Sequence, residues 1–340
     1  MKKVVIIITI FCITIITIIL FTVFGLPYIK PVKIPFALKE YEITLEDDYV
    51  ILNKYVGNDK NVVIPERFLT KHVKVLGDYC FDDDSNVFPW AKEIESVEIP
   101  DSVEIIGDRC FEFMSSLKSV TATNVISVGE YAFLANHNLE NVNLGSNLNV
   151  VKKGAFQVTE NLKTFDFTNV KEVGEDAFWN SGLTKVTNLQ DIKIIGENAF
   201  EATPWLFAQE GDFVIINGSL QLYKGEKKIV VIPDEVKSID GAFSQRSYEY
   251  KYPIDVQEIY IPDSVESISS YSFFSQDNVT IYIPDSVTSI EISYGNKRND
   301  GIDSSGIGTI VTTAGSYAEQ FAKENGIPYE IVDSWEVPET

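Results

Sequence analysis

The sequence predicts a β-rich solenoid of stacked repeats, and two observations predict it. The first is a phenylalanine, usually preceded by alanine or cysteine, whose successive positions from Phe111 to Phe200 are 22, 23, 22 and 22 residues apart. The second is the series Ile-Pro-Asp-Ser-Val, then Ile-Gly, which precedes that phenylalanine in residues 99–111. The anchor phenylalanines are Phe81, Phe111, Phe133, Phe156, Phe178, Phe200, Phe243 and Phe273.

Each position of the repeat has a structural explanation. The apolar alternation in residues 117–122 predicts a short strand with its apolar side inward. Proline ends the strand because it donates no hydrogen bond, and Asp-Ser favours a turn. The glycine predicts a tight bend where a side chain would clash, and the phenylalanine fills the layer between two strands. No unit buries its own apolar face, so neighbouring units must stack.

The first 30 residues predict a membrane anchor. Lys2 and Lys3 precede an apolar run at residues 4–24, which is long enough for one helix to cross a bilayer. The lysines favour a cytoplasmic N-terminus, so the remainder is expected outside the cell membrane. The run is long for a cleavable signal peptide and lacks a small-residue cleavage site, so an uncleaved single-pass signal anchor is preferred over a secreted product.

Both ends of the array and one interruption predict additional elements. Tyr41–Leu45 and Tyr49–Tyr55 indicate an N-terminal hairpin cap, and Asn217-Gly218 indicates a second hairpin after Phe200. A strand, a helix capped by Ser316 and a final strand indicate a C-terminal cap. The predicted domains are a signal anchor (1–26), a stalk with the hairpin cap (27–60), the repeats (61–294, with the hairpin insertion at about 205–228) and the C-terminal cap and tail (295–340).

The repeat series resembles the BspA-like leucine-rich-repeat surface protein family, whose signature is I-P-x-S-V-x-x-I-G-x-x-A-F. The resemblance covers residues 61–294. It implies a right-handed leucine-rich-repeat solenoid of short parallel strands with turns and short helical segments, carried on surface-exposed or secreted proteins that are mostly bacterial. The resemblance also implies adhesion to host or matrix components, which is an expectation from fold-level analogy.

Candidate binding residues lie where the repeat is interrupted and on the outward side of the strands. Two loops of twelve residues follow Phe81 and Phe243, and exposed aromatic side chains on loops suggest glycan or protein binding. The alternatives are that the loop aromatics fold back onto the solenoid and that the strand face is only solvated. The candidates are Phe88, Trp90, Tyr248, Tyr250 and Tyr252 in the loops, and Tyr260 and Tyr282 on the strands.

Two of the three cysteines, Cys80 and Cys110, immediately precede anchor phenylalanines in successive units. Direct stacking would bring their Cα atoms to about 5 Å, within reach of a disulfide. The preferred alternative is that each cysteine replaces the small buried alanine of the other repeats, because free cysteine packs as a small apolar residue.

The composition favours binding over chemistry. The formal net charge of −22 argues against the phosphate backbone of nucleic acids as a partner, because such a surface repels phosphate. With two histidines and no recognisable catalytic or metal-binding motif, neither an enzyme, a cofactor nor a metal is expected, and Asp82-Asp83-Asp84 is interpreted as a solvated acidic loop. The predicted function is a membrane-anchored binding or adhesion module for a protein or glycan partner. The alternative is a structural spacer of the cell surface without a specific ligand, and an enzyme is least expected.

Overall fold

The computed structural model describes residues 40–81, 93–243, 256–269, 272–273, 278–291 and 307–339. The chain divides into two compact units, the first made of Met1–Ala177 and Lys185–Ile194 and the second of Phe178–Thr184 and Ile195–Thr340. No helix within the described ranges is both long and apolar enough to cross a bilayer. The expected anchor at residues 4–24 lies outside those ranges.

The secondary-structure elements of the first unit are nearly all short strands, and turns and irregular segments connect them. A 3-10 turn, Leu189–Asp191, precedes the last of them, which lies at the boundary of the two units. The strands are β1 (Tyr41–Leu45), β2 (Tyr49–Tyr55), β3 (Asn61–Val63), β4 (Arg67–Phe68), β5 (Lys71–Leu76), β6 (Ser96–Glu98), β7 (Ile105–Ile106), β8 (Ser119–Thr121), β9 (Ser127–Val128), β10 (Asn141–Asn143), β11 (Val150–Val151), β12 (Glu172–Val173) and β13 (Ile194–Ile195).

These strands form two parallel ladders because most repeats contribute one strand to each. One ladder has the order β3-β6-β8-β10, and the other runs through β2-β5-β7-β9-β11-β12. The strand predicted at residues 117–122 lies in the first ladder, as β8. The corresponding segment of the repeat at residues 162–167 forms only an isolated bridge, between Thr164 and Lys185. The second ladder, made by the Ile-Gly segment, was not predicted. The predicted hairpin is confirmed, because β1 pairs antiparallel with β2 and β2 pairs parallel with β5.

The second unit repeats this arrangement. Its strands also form two ladders, of the order β14-β15-β17-β19-β21 and β16-β18-β20-β22-β23. Its elements are helix α1 (Pro204–Phe207), β14 (Phe213–Ile216), β15 (Ser219–Tyr223), β16 (Ile229–Val231), β17 (Ser238–Ile239), β18 (Glu258–Tyr260), β19 (Ser267–Ile268), β20 (Val279–Tyr282), β21 (Ser289–Ile290), β22 (Ile307–Thr312), helix α2 (Tyr317–Asn325) and β23 (Tyr329–Ile331).

The anchor phenylalanines stack along the core of each unit. The ring centroids of Phe81 and Phe111 are 4.7 Å apart, and those of Phe133 and Phe156 are 4.8 Å apart. This separation equals the spacing of neighbouring strands in a sheet, so each coil adds one ring to the stack. Burial of a phenylalanine side chain contributes about 2–3 kcal/mol, and the repetition makes the stack a main source of stability.

The repeat glycine allows neighbouring coils to stack closely and does not form the predicted tight bend. Gly107 and Gly129 do not have a positive φ, and the left-handed positions are Arg109 (φ 54°) and Tyr131 (φ 55°) two residues later. A Cβ on Gly129 would lie 2.5 Å from the backbone carbon of Gly107 in the preceding coil. The expected clash is therefore present, but the glycine is needed for close stacking of coils and the bend is made elsewhere.

The second hairpin begins a new array. Asn217 and Gly218 both have positive φ, as a two-residue hairpin turn requires, and β14 pairs antiparallel with β15. Strand β15 then pairs parallel with β17 as β2 does with β5. The segment thus has the position in the second unit that the N-terminal hairpin has in the first.

The C-terminal strand-helix-strand arrangement is present. The Ser316 side chain accepts a hydrogen bond from the amide of Glu319 at 3.0 Å, and Gly326 ends α2 with a φ of 68°. Helix α2 buries Ala318, Phe321 and Ala322 against the apolar core of the second unit. It therefore covers the last layer, as a terminal cap must.

Candidate functional site

The predicted site residues separate into two groups. Tyr260 and Tyr282 lie in the second unit and are described. The loop candidates Phe88, Trp90, Tyr248, Tyr250 and Tyr252, together with the acidic run at residues 82–84, lie outside the described residues. The loop part of the binding hypothesis therefore stays a prediction.

Tyr260 and Tyr282 are brought together by the register of two parallel strands. Residue 259 pairs with 281 and residue 260 with 282 in the β18–β20 ladder. Because side chains alternate across a strand, the buried isoleucines Ile259 and Ile281 face the core and the tyrosines share the opposite face. The tyrosine rings stack with centroids 4.1 Å apart and planes 8° apart.

The hydroxyl groups of this pair are held in a polar network. The Tyr260 hydroxyl donates to a carboxylate oxygen of Glu258 at 2.7 Å. Burial raises the pKa of Tyr260 well above its usual value, and hydrogen bonds with Tyr282 and Glu258 add to the shift. Tyr260 is 7% exposed whereas Tyr282 is partly exposed, so Tyr282 is the more accessible member of the pair.

After β23 the chain returns to the face of the sheet that carries Tyr260 and Tyr282. The Trp335 ring lies 5.9 Å from the Tyr282 ring, with planes 53° apart. The sequence interpretation missed Trp335, although a lone tryptophan within the polar stretch Asp333–Glu339 was an available signal. The tryptophan extends the aromatic surface begun by the two tyrosines.

A cavity of about 840 Å³ lies between this returning segment and the ends of the strands. We call it the turn groove, because the Ile-Pro-Asp-Ser turns of two successive repeats form one wall. Residues 261–264 of the first turn and residues 284–286 of the second line it. Its full lining is Val231, Ile232, Asp234, Tyr260, Ile261, Pro262, Asp263, Ser264, Pro284, Asp285, Ser286, Thr313, Asp333, Ser334, Trp335 and Val337.

The turn groove is acidic and partly apolar. Four aspartates line it, Asp234, Asp263, Asp285 and Asp333, and all four are exposed, while its described lining contains no lysine, arginine or histidine. The Thr313 hydroxyl donates to Asp285, as the Thr123 hydroxyl donates to Asp101 in the first unit. Carboxylates accept hydrogen bonds and attract cations, and the aromatic residues provide apolar contact area, so this arrangement is suited to binding.

A second cavity of about 590 Å³ shares part of this lining. It has Val231, Ile232 and Asp234 in common with the turn groove, and it reaches Phe213 and Tyr223 of the hairpin. Pro338 and Glu339 continue the returning segment along it. The surface available to a ligand therefore extends from the C-terminal segment towards β16 within the second unit.

Cys80 and Cys110 are present as free, fully buried thiols. Burial raises the pKa of Cys110 well above its usual value, and a hydrogen bond with Cys80 adds to the effect. The amide of Phe81 donates to the carbonyl of Cys110 at 3.0 Å, as the amide of Phe111 donates to that of Ala132 at 2.8 Å. The cysteines therefore occupy the small-residue position of the repeat, as in the preferred interpretation.

The two histidines lie in separate surface pairs. His72 Nδ1 is 3.1 Å from a carboxylate oxygen of Glu66, and His137 Nδ1 is 2.8 Å from one of Glu160. Within the described part of the chain, no three histidine, cysteine, aspartate or glutamate side chains are grouped closely enough to hold a metal ion. The features of the turn groove thus remain the strongest candidate site that the described residues offer.

Comparison with known proteins assigns the repeats. A family described as the BspA type leucine-rich repeat region matches residues 84–206 and 244–318, in six copies, which together make up more than half of the chain. No curated protein matches the sequence.

Several solved structures are similar to this chain. A leucine-rich cell surface protein from Faecalibacterium prausnitzii is 20% identical with a TM-score of 0.43, covering 78% of this chain and 96% of that one. A leucine-rich-repeat protein from Eubacterium ventriosum is 19% identical with a TM-score of 0.47, covering 82% and 71%. The pneumococcal vaccine antigen PcpA is 14% identical with a TM-score of 0.39, covering 86% and 97%.

Proposed function

Because the chain belongs to the BspA-type leucine-rich-repeat family, we propose that it is a binding module of the adhesion type, presented outside the cell on a membrane anchor. Repeat proteins use stacked coils to present an extended surface, and their interiors are devoted to packing. The ligand is therefore expected on the surface, at a place where the repeat carries residues that its stacking does not require.

The observation that carries this proposal is the turn groove. Its lining contains the turn residues that the repeat needs and also Tyr260 and Trp335. The Tyr282 ring packs against both of these rings, and none of the three is part of the repeat pattern. Concave sites that combine aromatic residues with a few polar groups are the usual form of a binding site. A protein or a glycan partner satisfies this description.

Two sequence features support the setting of the module. The apolar run at residues 4–24, preceded by Lys2 and Lys3, is suited to a single-pass anchor with the repeats outside. The formal charge of −22 is suited to a soluble exposed domain and opposes binding to nucleic acid. We assign the groove no catalytic step, because its aspartates and aromatic residues offer acceptors and contact area to a ligand.

The test is a binding screen with the full chain, purified in mild detergent, against arrays of glycans and extracellular-matrix proteins. Tyr282→Ala should weaken every specific interaction found by about tenfold, equivalent to about 1.4 kcal/mol. Tyr317→Ala removes an exposed tyrosine side chain that does not line the groove and serves as the control.

The screen also distinguishes the alternative function. Binding that Tyr282→Ala and Tyr317→Ala leave equally strong would place the ligand site elsewhere on the protein. Absence of binding to every array member would favour a structural spacer of the cell surface.

A further inference from the structure

We propose that the turn groove binds an extended polypeptide segment of a partner protein that carries lysine or arginine side chains. This inference rests on the proposed function and specifies the chemical class of its ligand. Three features of the groove support it: the negative sign of its charge, the stacking of its aromatic rings on one another, and its length.

The charge of the groove is of one sign and is not neutralised by the described residues. No described cation forms an ion pair with Asp234, Asp263, Asp285 or Asp333. Acidic residues of the first unit differ, since Glu95 pairs with Lys118 at 2.8 Å and Glu175 pairs with Lys153 at 2.7 Å. Charge complementarity therefore favours a cationic occupant of the groove.

The aromatic residues favour a long cationic side chain over a sugar. The Tyr260 and Tyr282 faces are stacked on each other, and Trp335 packs against Tyr282, so these rings offer edges and partial surfaces more than an open platform. Lysine and arginine bury their aliphatic stems along apolar surface while keeping the charged group in a polar environment. Val231, Tyr260 and Val337 provide such surface beside the aspartates.

The length of the groove matches a short extended segment. Its wall follows the ends of β16, β18, β20 and β22, which are neighbours in one ladder. Three steps of about 4.8 Å give about 14 Å, which an extended chain covers in about four residues at 3.3 Å each. Alternate side chains of such a segment point the same way, so two cationic residues can reach the carboxylates of Asp263 and Asp285.

The test is the binding of a fluorescein-labelled peptide in which lysine alternates with valine, measured by fluorescence anisotropy with the full chain in mild detergent. The comparison peptide has glutamate in place of lysine. Asp263→Asn with Asp285→Asn should weaken the affinity for the lysine peptide about tenfold. The control, Asp101→Asn with Glu130→Gln, removes two exposed carboxylates from the first unit and should change the affinity less than about twofold.

The outcomes are distinguishable. Equal losses in the two double variants, or equal binding of the glutamate peptide, would show that only the overall charge attracts the peptide and would overturn the inference. Failure of the lysine peptide to bind, together with glycan or matrix binding that Tyr282→Ala abolishes, would overturn the inference and leave the proposed function in place. Circular dichroism of each variant checks that the strands are retained.

Discussion

The rings of Tyr260 and Tyr282 lie face to face with their centroids 4.1 Å apart, on adjacent parallel strands of the second unit. The core-facing positions beside them are isoleucines, which the repeat pattern requires, whereas nothing in that pattern requires a tyrosine pair. Tyr282 also contacts Trp335, which lies 53 residues further along the chain. This contact links the repeats to the C-terminal segment.

Tyr282→Ala should destabilise the second unit as well as weaken ligand binding. The change removes one stacked aromatic pair and part of the contact with Trp335, and an aromatic pair contributes about 0.5–1.5 kcal/mol beyond its buried area. We expect a lower thermal midpoint and faster exchange of the β18 and β20 amides, measured by hydrogen exchange. Trp335→Ala should give a smaller change, and unchanged exchange in both variants would contradict a stabilising role.

Phe133→Ala should be among the most destabilising substitutions in the first unit. Its ring is fully buried between those of Phe111 and Phe156, and removal of a buried phenylalanine costs about 3–5 kcal/mol. Denaturant unfolding monitored by circular dichroism measures the loss. Phe113, two residues after an anchor, is 39% exposed and provides the matched control, for which we expect a loss below about 1 kcal/mol. Similar losses at the two positions would argue against the ring stack as a main source of stability.

Gly129→Ala should destabilise more than Gly77→Ala, although both glycines hold the same position of the repeat. A Cβ at residue 129 would lie 2.5 Å from backbone of the preceding coil, whereas at residue 77 the nearest atom is 3.2 Å away. Backbone at 2.5 Å must move, and such overpacking costs about 1–3 kcal/mol. The difference in unfolding midpoint tests the assignment of this glycine to close coil stacking. Equal effects at the two glycines would contradict that assignment.

Asp240→Asn should stabilise the second unit at neutral pH. Burial raises the pKa of Asp240, although hydrogen bonds from Ser219, Ser238 and Gln221 act in the opposite direction. The pKa of Asp240 is higher in the folded state than in the unfolded state. Its contribution to the free energy of unfolding is therefore complete below the unfolded-state pKa and is lost as the pH rises through the folded-state pKa. Asparagine does not ionise, so the variant does not lose this stability as the pH rises.

The stability difference between the wild type and Asp240→Asn should therefore shrink as the pH falls towards about 3.9, the ordinary value for aspartate. Thermal midpoints of both proteins, measured at intervals from about pH 3 to about pH 8, would show this convergence. Asp101→Asn, at an exposed aspartate of the first unit, is the control. A wild type that is more stable than Asp240→Asn at neutral pH would contradict the assignment.

Cys80 and Cys110 should be free and poorly reactive in the folded protein. The thiolate is the reactive form, and burial opposes its formation at Cys110. We expect slow alkylation by iodoacetamide under native conditions and rapid alkylation of both thiols in denaturant without reductant, measured by mass spectrometry. Alkylation in denaturant that requires prior reduction would instead demonstrate the disulfide.

The sequence contained one signal that its interpretation missed. Tyr55 and Tyr223 each begin the series Tyr-x-Gly-x-x-Lys-x-Val-Val-Ile-Pro, which runs to Pro65 and Pro233. In each copy the tyrosine ring lies so close to the following glycine that a Cβ there would be 2.4 Å from the hydroxyl oxygen. Both tyrosines also join the ring stack, against Phe81 and Phe243. The second copy marks the start of the second array, which the spacing of the anchor phenylalanines recorded only as a gap.

The sequence by itself determined the features that depend on neighbouring residues or on a fixed period. The anchor phenylalanines, the Asn217-Gly218 turn and the Ser316 cap were predictable because each follows from local conformational preference or from stacking of equivalent positions. The tertiary structure alone decided that Trp335 meets Tyr282 and that Asp333 joins Asp263 and Asp285 in lining the same groove. Those contacts depend on strand register and on the path of the returning segment, and the packing that selects them involves residues far apart in the chain.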